Sequence, residues 1–330
     1  MEQIDPTERN RDKSMLTVDQ QVARLKAKGV TFNLCSEEEA AELLLLGNNY
    51  LRLTSYRKLY ERKAEGPDAG AYVNLNFGDL AVLSSLDRQL REAFLALTVD
   101  VEHFAKMKVL FNVEAHDEDG YRIVTDFYAS LNHTGRNAIQ GAMRARSREG
   151  ERRDAYAGDL IAHHSADMPA WVFLEVIDFG TFVGFYLFCA DRWDDETMRQ
   201  EHYILKSVKA LRNATAHNHC IVNGFTQSAA VAGYPTNSLI VESMNERGIP
   251  RTKSRRAKLS NLRIAQMAAS LYALSALCKR GPTMRRNAER LAALRKSYEA
   301  ALPQFHRNST IVSFFDFLFR LVDIWVPMPS

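Results

Sequence analysis

The longest regular pattern in the chain runs from Asp79 to about Val113. Leu83, Leu90, Phe94, Leu97, Val101 and Phe104 recur there at intervals of 7, 4, 3, 4 and 3. This narrow apolar stripe predicts one long helix that packs in a bundle or a coiled-coil seam. Shorter helical patterns precede it. Val18, Val22 and Leu25 share a face over Thr17–Lys28, closed by Gly29. Ser36 followed by Glu39 is a capping box for a helix through Leu43–Leu46 to Gly47. Asn49–Arg62 reads as a third helix, with Tyr56 and Tyr60 one turn apart. Between His116 and Ala166 the periodicity weakens and charge is dense, which predicts short helices and an exposed connection. Pro169 opens a further helix over Trp171 and Leu174, with Gly180 and Gly184 expected to loosen the chain behind it. Asp194–Leu211 is helical, Gly224–Gly248 is loop-rich, and Lys258–Lys279, Thr283–Leu302 and Asn308–Trp325 complete the set. Strand signals are few and no repeat is visible, so the expected fold class is all-α.

Composition allows a soluble globular protein with a sizeable core, at 46% hydrophobic and 25% charged residues. No run of eighteen apolar residues predicts a membrane span, and the polar start does not read as a signal peptide. Cys35, Cys189, Cys220 and Cys278 are far apart and form no CxxC pair, which fits a reducing, cytoplasmic compartment. The net charge of +3 conceals an asymmetry: from Arg247 to Lys296 there are fourteen Lys or Arg against one acid, Glu289. Such a block suits a polyanion, or else a solvated helical face. Expected divisions are a flexible tail at 1–13, a helical N-terminal region at 14–75, a helical core at 76–225 and a basic helical extension at 226–330.

The densest chemistry lies in SVKALRNATAHNHC, Ser207–Cys220. Arg212 and His217 are five residues apart, roughly 140° around an ideal helix, so one regular helix does not aim both at the same atom. Either the helix breaks near Ala216 or two copies of the motif meet across a two-fold axis. A histidine moves protons near neutral pH, and an arginine binds phosphate oxygens and offsets transition-state charge. RNA supplies its own nucleophile in the 2′-hydroxyl, so this pair suits metal-independent cleavage to a 2′,3′-cyclic phosphate and a 5′-hydroxyl. R-x4-H alone is common, and a satisfied histidine at a helix end is the structural alternative. His217, His219 and Cys220, with His163–His164, match no zinc spacing, and no Gly-rich phosphate loop, GxSxG or HExxH is present; no metal or cofactor is expected.

Five segments in order, LTVDQQVARLKAKGV, NNYLRLTSYRKLY, LSSLDRQLREAFLALTVDVEHFAKMKVLF, MPAWVFLEVIDFGTFVGFY and LRNATAHNHCIVNGF, resemble the bacterial Abi-like proteins of the AbiD/AbiF abortive-infection group, over about Leu16–Phe225. Those proteins are placed in the HEPN superfamily, whose active members are metal-independent RNases that dimerise around one composite site. The resemblance implies a HEPN-like helical bundle. It makes Arg212 the phosphate-binding arginine, His217 the essential histidine, Asn213 the polar residue that follows the arginine, and Glu175 a supporting acid that orients Arg212 through a salt bridge. The family often reads R-N-x-C-A-H-H with a basic residue three places after the first histidine. Here Thr215, Asn218 and Cys220 stand at the altered positions, and Leu51 and Arg57 replace a common Tyr and Trp.

The resulting expectation is an endoribonuclease of a phage-defence or toxin system. It would act as a homodimer on RNA, with an antitoxin or a guide or inhibitory RNA as a further partner. RNA contacts are expected from His219 and from Arg251, Lys253, Arg255, Arg256, Arg285 and Arg286 in the basic extension. The alternative is an RNA-binding or sensing protein of the same superfamily without catalysis.

Overall fold

A computed structural model describes residues 14–148, 153–226, 237–250, 252–278, 281–305 and 308–328. The expected tail at 1–13 and the expected contact residue Arg251 lie outside the described residues. The described chain is all-α, with no strand and two isolated bridges, Thr31 to Asn76 and Arg62 to Tyr72. Its helices are α1 Val18–Lys26, α2 Glu37–Glu42, α3 Tyr50–Ser55, α4 Phe77–Ala115, α5 Arg122–Ser130, α6 His133–Ser147, α7 Gly158–His163, α8 Ala170–Val176, α9 Phe179–Arg192, α10 Glu196–Ala216, α11 Ser238–Glu246, α12 Lys253–Leu259, α13 Leu262–Leu277, α14 Pro282–Phe305 and α15 Ser309–Trp325. None of the described helices is long and apolar enough to cross a membrane.

The 39-residue α4 is the axis of the molecule, about 58 Å long at helical rise. It starts at a capping box in which the Asn76 side chain accepts the Gly78 N–H and Asp79 reaches back to the Asn76 N–H. Leu83, Leu90, Phe94, Leu97 and Val101 of the apolar stripe are fully buried and Phe104 is half-buried. Helices α10, α13 and α14 pack along α4, and α9 packs on α10. The buried side chains of all these elements, with those of α1–α3 and α15, form one continuous core.

Several elements differ from the sequence pattern for local physical reasons. The third predicted helix is α3 followed by a 3-10 turn at Tyr56–Leu59, which carries Tyr56 into the core. Gly180 and Gly184 do not loosen the chain. Helix α9 runs through both, because Asp178 caps the N–H groups of Gly180 and Thr181 and because Phe182, Phe185, Tyr186 and Cys189 are buried. That packing outweighs a helix cost of roughly 1 kcal/mol per glycine. The weak stretch after His116 contains the 15-residue α6, and the expected loop before Gly248 contains α11.

Candidate active site

Helix α10 continues past Leu211, where the apolar pattern stops, and ends at Ala216. Its termination explains the polar motif. His217 is the C-cap residue, and Asn218 then adopts the left-handed conformation at φ 58°. The His219 N–H donates to the Ala214 carbonyl at 2.8 Å and the Asn218 N–H to the Thr215 carbonyl at 3.0 Å, the paired bonds of a Schellman turn. Asparagine tolerates this backbone better than most residues. The turn leaves His217 and His219 exposed, with ring centroids 6.0 Å apart.

Helices α10 and α4 run antiparallel. Asn112 meets Met198, Lys108 meets Glu201, Glu102 faces Arg212 and Asp87 meets Ile221. Arg212 lies one turn before the cap. Its Nη1 donates to Asn213 Oδ1 at 3.1 Å and its Nη2 stands 4.0 Å from Glu102 Oε2. The Arg212 side chain is 36% exposed, and Glu102 is held more closely by Lys106, at 3.0 Å. The guanidinium therefore keeps most of its donors uncommitted. Arg212 and His217 make no contact with one another within one chain among the described bonds and ring contacts. The structure thus places the arginine and the histidine on adjacent turns of one exposed helix end without closing them onto each other.

Glu175 does not take the role the resemblance implies. It is exposed on α8, with no ion pair or hydrogen bond to any described residue, and α8 packs on α4 and α5; the acid facing Arg212 is Glu102. The basic extension divides into separate places. Lys253 and Arg256 are exposed on α12, and Arg255, half-buried, donates to the Pro250 carbonyl at 2.8 Å in a groove shared with Lys258 and Arg320. Arg285 and Arg286 are exposed near the start of α14, where Asn287 donates to Asp100 of α4 at 2.7 Å. Cys220 is turned towards Tyr56 at 3.6 Å, and no three His, Cys, Asp or Glu side chains converge as a metal ligand set among the described residues.

Two anchors hold the turn, and neither has a periodic signal that links it to the motif. Asp87 is fully buried on α4. Its Oδ1 accepts the main-chain N–H groups of Ile221 and Val222 at 2.9 and 2.8 Å. Its Oδ2 accepts the Tyr56 hydroxyl at 2.8 Å and is paired with Arg91. Burial and the neighbouring Asp87 charge push the Tyr56 pKa upward, so this hydroxyl stays a donor. Arg52 of α3 is the second anchor: Nη1 donates to Asn218 Oδ1 at 2.9 Å and Nη2 to the Asn218 carbonyl at 2.6 Å. The available sequence signal for Asp87 is its register. It falls four residues after Leu83 on the buried face, and Arg91 follows one turn later.

A family model for the Abi-like proteins matches residues 44–223, more than half of the 330-residue chain, and the match includes both anchors, the long helix and the Arg212–His217 motif. No curated protein and no solved structure matched. On this match, spanning α3 to the turn that follows α10, the chain belongs to the Abi-like protein family.

Proposed function

We propose that this Abi-like chain is a phage-defence endoribonuclease that cuts RNA by 2′-hydroxyl attack. The observation that carries the reading is the helix end of α10. An arginine without a close carboxylate partner and an exposed histidine stand five residues apart at one helix end, held by two anchors from elsewhere in the fold. His217 takes the proton of the 2′-hydroxyl, the 2′-oxygen attacks the adjacent phosphorus, and the 5′-oxygen leaves with a proton. Arg212 binds the non-bridging phosphate oxygens and offsets the charge that grows on them. The products are a 2′,3′-cyclic phosphate and a 5′-hydroxyl.

The reaction needs an acid and a base, and one copy carries one R-x4-H histidine, His217, with His219 on the same turn. A two-fold pair of chains supplies a second His217. The exposed side of α4 next to Glu102 suits such pairing: Val99, Met107 and Phe111 flank His103 at four-residue spacing and are 49%, 45% and 68% exposed. This stripe brackets the acid that faces Arg212, so a second copy seated there brings the two motifs close. Because Arg212 and His217 do not touch within one chain, an unpaired chain has the second reading, RNA binding without cleavage. The test is incubation of purified wild type and His217→Ala with total cellular RNA in EDTA, followed by analysis of the cut ends. Salt-dependent binding by wild type with no cut ends favours the second reading.

A further inference from the structure

A groove of about 540 Å³ opens beside the His217 turn. It is lined by the turn residues Thr215 and Asn218, by Asn48 and Arg52, and by Ser84, Arg88, Arg91 and Glu92 of α4, among others. Its charge is unbalanced. Arg91 is buried and committed to Asp87. Arg88 is 76% exposed and among the described residues pairs only with Glu92, itself 62% exposed, in a surface pair of the kind that contributes little. Arg52 has no carboxylate within ion-pair distance among the described residues. It spends one N–H of each terminal nitrogen on neutral oxygens of Asn218, which leaves three of its five donors. Hydroxyl and amide groups complete the lining: Asn48 Nδ2 donates to Ser84 Oγ at 2.6 Å, and Ser85 lies beside them.

We infer that this groove holds the sugar–phosphate backbone of single-stranded RNA immediately beside the bond to be cut, with Arg52 and Arg88 on phosphates and the Asn48–Ser84 edge on sugar oxygens. The inference rests on the RNA reading above and extends it to the binding track. Guanidinium groups suit phosphate because they present planar paired donors, and an open polar groove suits a flexible single strand rather than a rigid duplex. Arg52 has a double position. It lines the groove and at the same time grips the residue after His217, so a bound strand and the catalytic turn share one side chain. A contact that serves only as a helix cap accounts for Arg52 but not for Arg88, which makes no hydrogen bond or ion pair to the helix end among the described residues.

The test uses the full chain and a labelled 2′-O-methyl RNA of about 20 nucleotides, which cannot supply the attacking hydroxyl. Binding is measured across a salt series for wild type, Arg88→Ala, Arg52→Lys, Glu92→Gln and Arg24→Ala, an exposed α1 arginine outside the groove. Arg88→Ala is expected to weaken binding about fivefold and to lower the log–log salt slope by about 0.7, the loss of one single-strand phosphate contact. Glu92→Gln is expected to tighten binding, Arg52→Lys to weaken it, and Arg24→Ala to leave it unchanged. Unchanged affinity in both Arg88→Ala and Glu92→Gln overturns the groove, as does wild type that does not bind the probe or binds duplex DNA more tightly. Cleavage of unmodified RNA is scored in parallel. Arg88-dependent binding without cleavage keeps the groove and removes the nuclease reading. Cleavage that is insensitive to Arg88 and Arg52 does the reverse.

Discussion

Asp87 accepts the main-chain N–H groups of Ile221 and Val222 across 134 and 135 positions of sequence, and so ties the chain just after the His217 turn to the first third of the long helix. Its other oxygen holds Tyr56 and Arg91. Replacing Asp87 by alanine strands a buried guanidinium and two buried N–H groups. The expected cost is about 3–5 kcal/mol, read by chemical denaturation. Tyr56→Phe removes one donor and is expected to cost about 1 kcal/mol. Asp87→Ala with wild-type stability contradicts the role of this carboxylate as an anchor.

The left-handed backbone of Asn218 makes a separate prediction. Glycine accepts φ 58° without steric cost but removes the side-chain acceptor of Arg52 Nη1. Valine at the same place is expected to cost about 1–2 kcal/mol more than glycine. Thermal unfolding of Asn218→Gly and Asn218→Val orders them, and equal melting temperatures contradict the assignment.

His202 gives the fold a pH dependence. Burial, aided by the nearby Lys206 charge, lowers its pKa, against the opposing bond from Nδ1 to the Val183 carbonyl at 3.0 Å and the Asp191 charge. The folded state therefore resists protonation more than the unfolded chain does. This contribution to stability is complete above about pH 6.5, the ordinary histidine value, and is lost as pH falls through the lowered folded value. The denaturation midpoint should drop between pH 7 and 5 in wild type and drop less in His202→Gln, where an amide N–H can still reach Val183. Parallel pH profiles for the two proteins contradict this.

The exposed Val99, Met107 and Phe111 row of α4 predicts a paired molecule. Phe111→Glu places a charge where the side chain is 68% exposed, so folding should be unaffected while pairing is lost. Light scattering after size exclusion should give a dimer for wild type and a monomer for the variant, together with loss of cleavage. A variant that remains a dimer and cuts normally removes α4 from the pairing surface.

What was legible in the sequence followed local rules. The Ser36–Glu39 box, the stripe from Leu83 to Val101 and the polar end of α10 each announce themselves within a few turns. Burial within α9 decided against the breaking effect of Gly180 and Gly184, a tertiary outcome that local propensity does not contain. The anchors were illegible for a similar reason. Arg52 meets Asn218 across 166 positions, and no periodic pattern joins them. Glu102, rather than Glu175, faces Arg212 because α4 packs directly along α10. The basic block reads as one charge run in sequence, yet α12 and α14 carry Arg255 and Arg285 to different surroundings.

The most direct measurement of the central claim is end analysis of RNA cut in EDTA by wild type and by His217→Ala, with the folding of both checked by melting temperature. The account predicts 2′,3′-cyclic phosphate and 5′-hydroxyl ends from wild type, and at least a hundredfold slower cutting from an equally stable His217→Ala, about the smallest contribution expected of a general acid–base. Undiminished cutting by His217→Ala contradicts it.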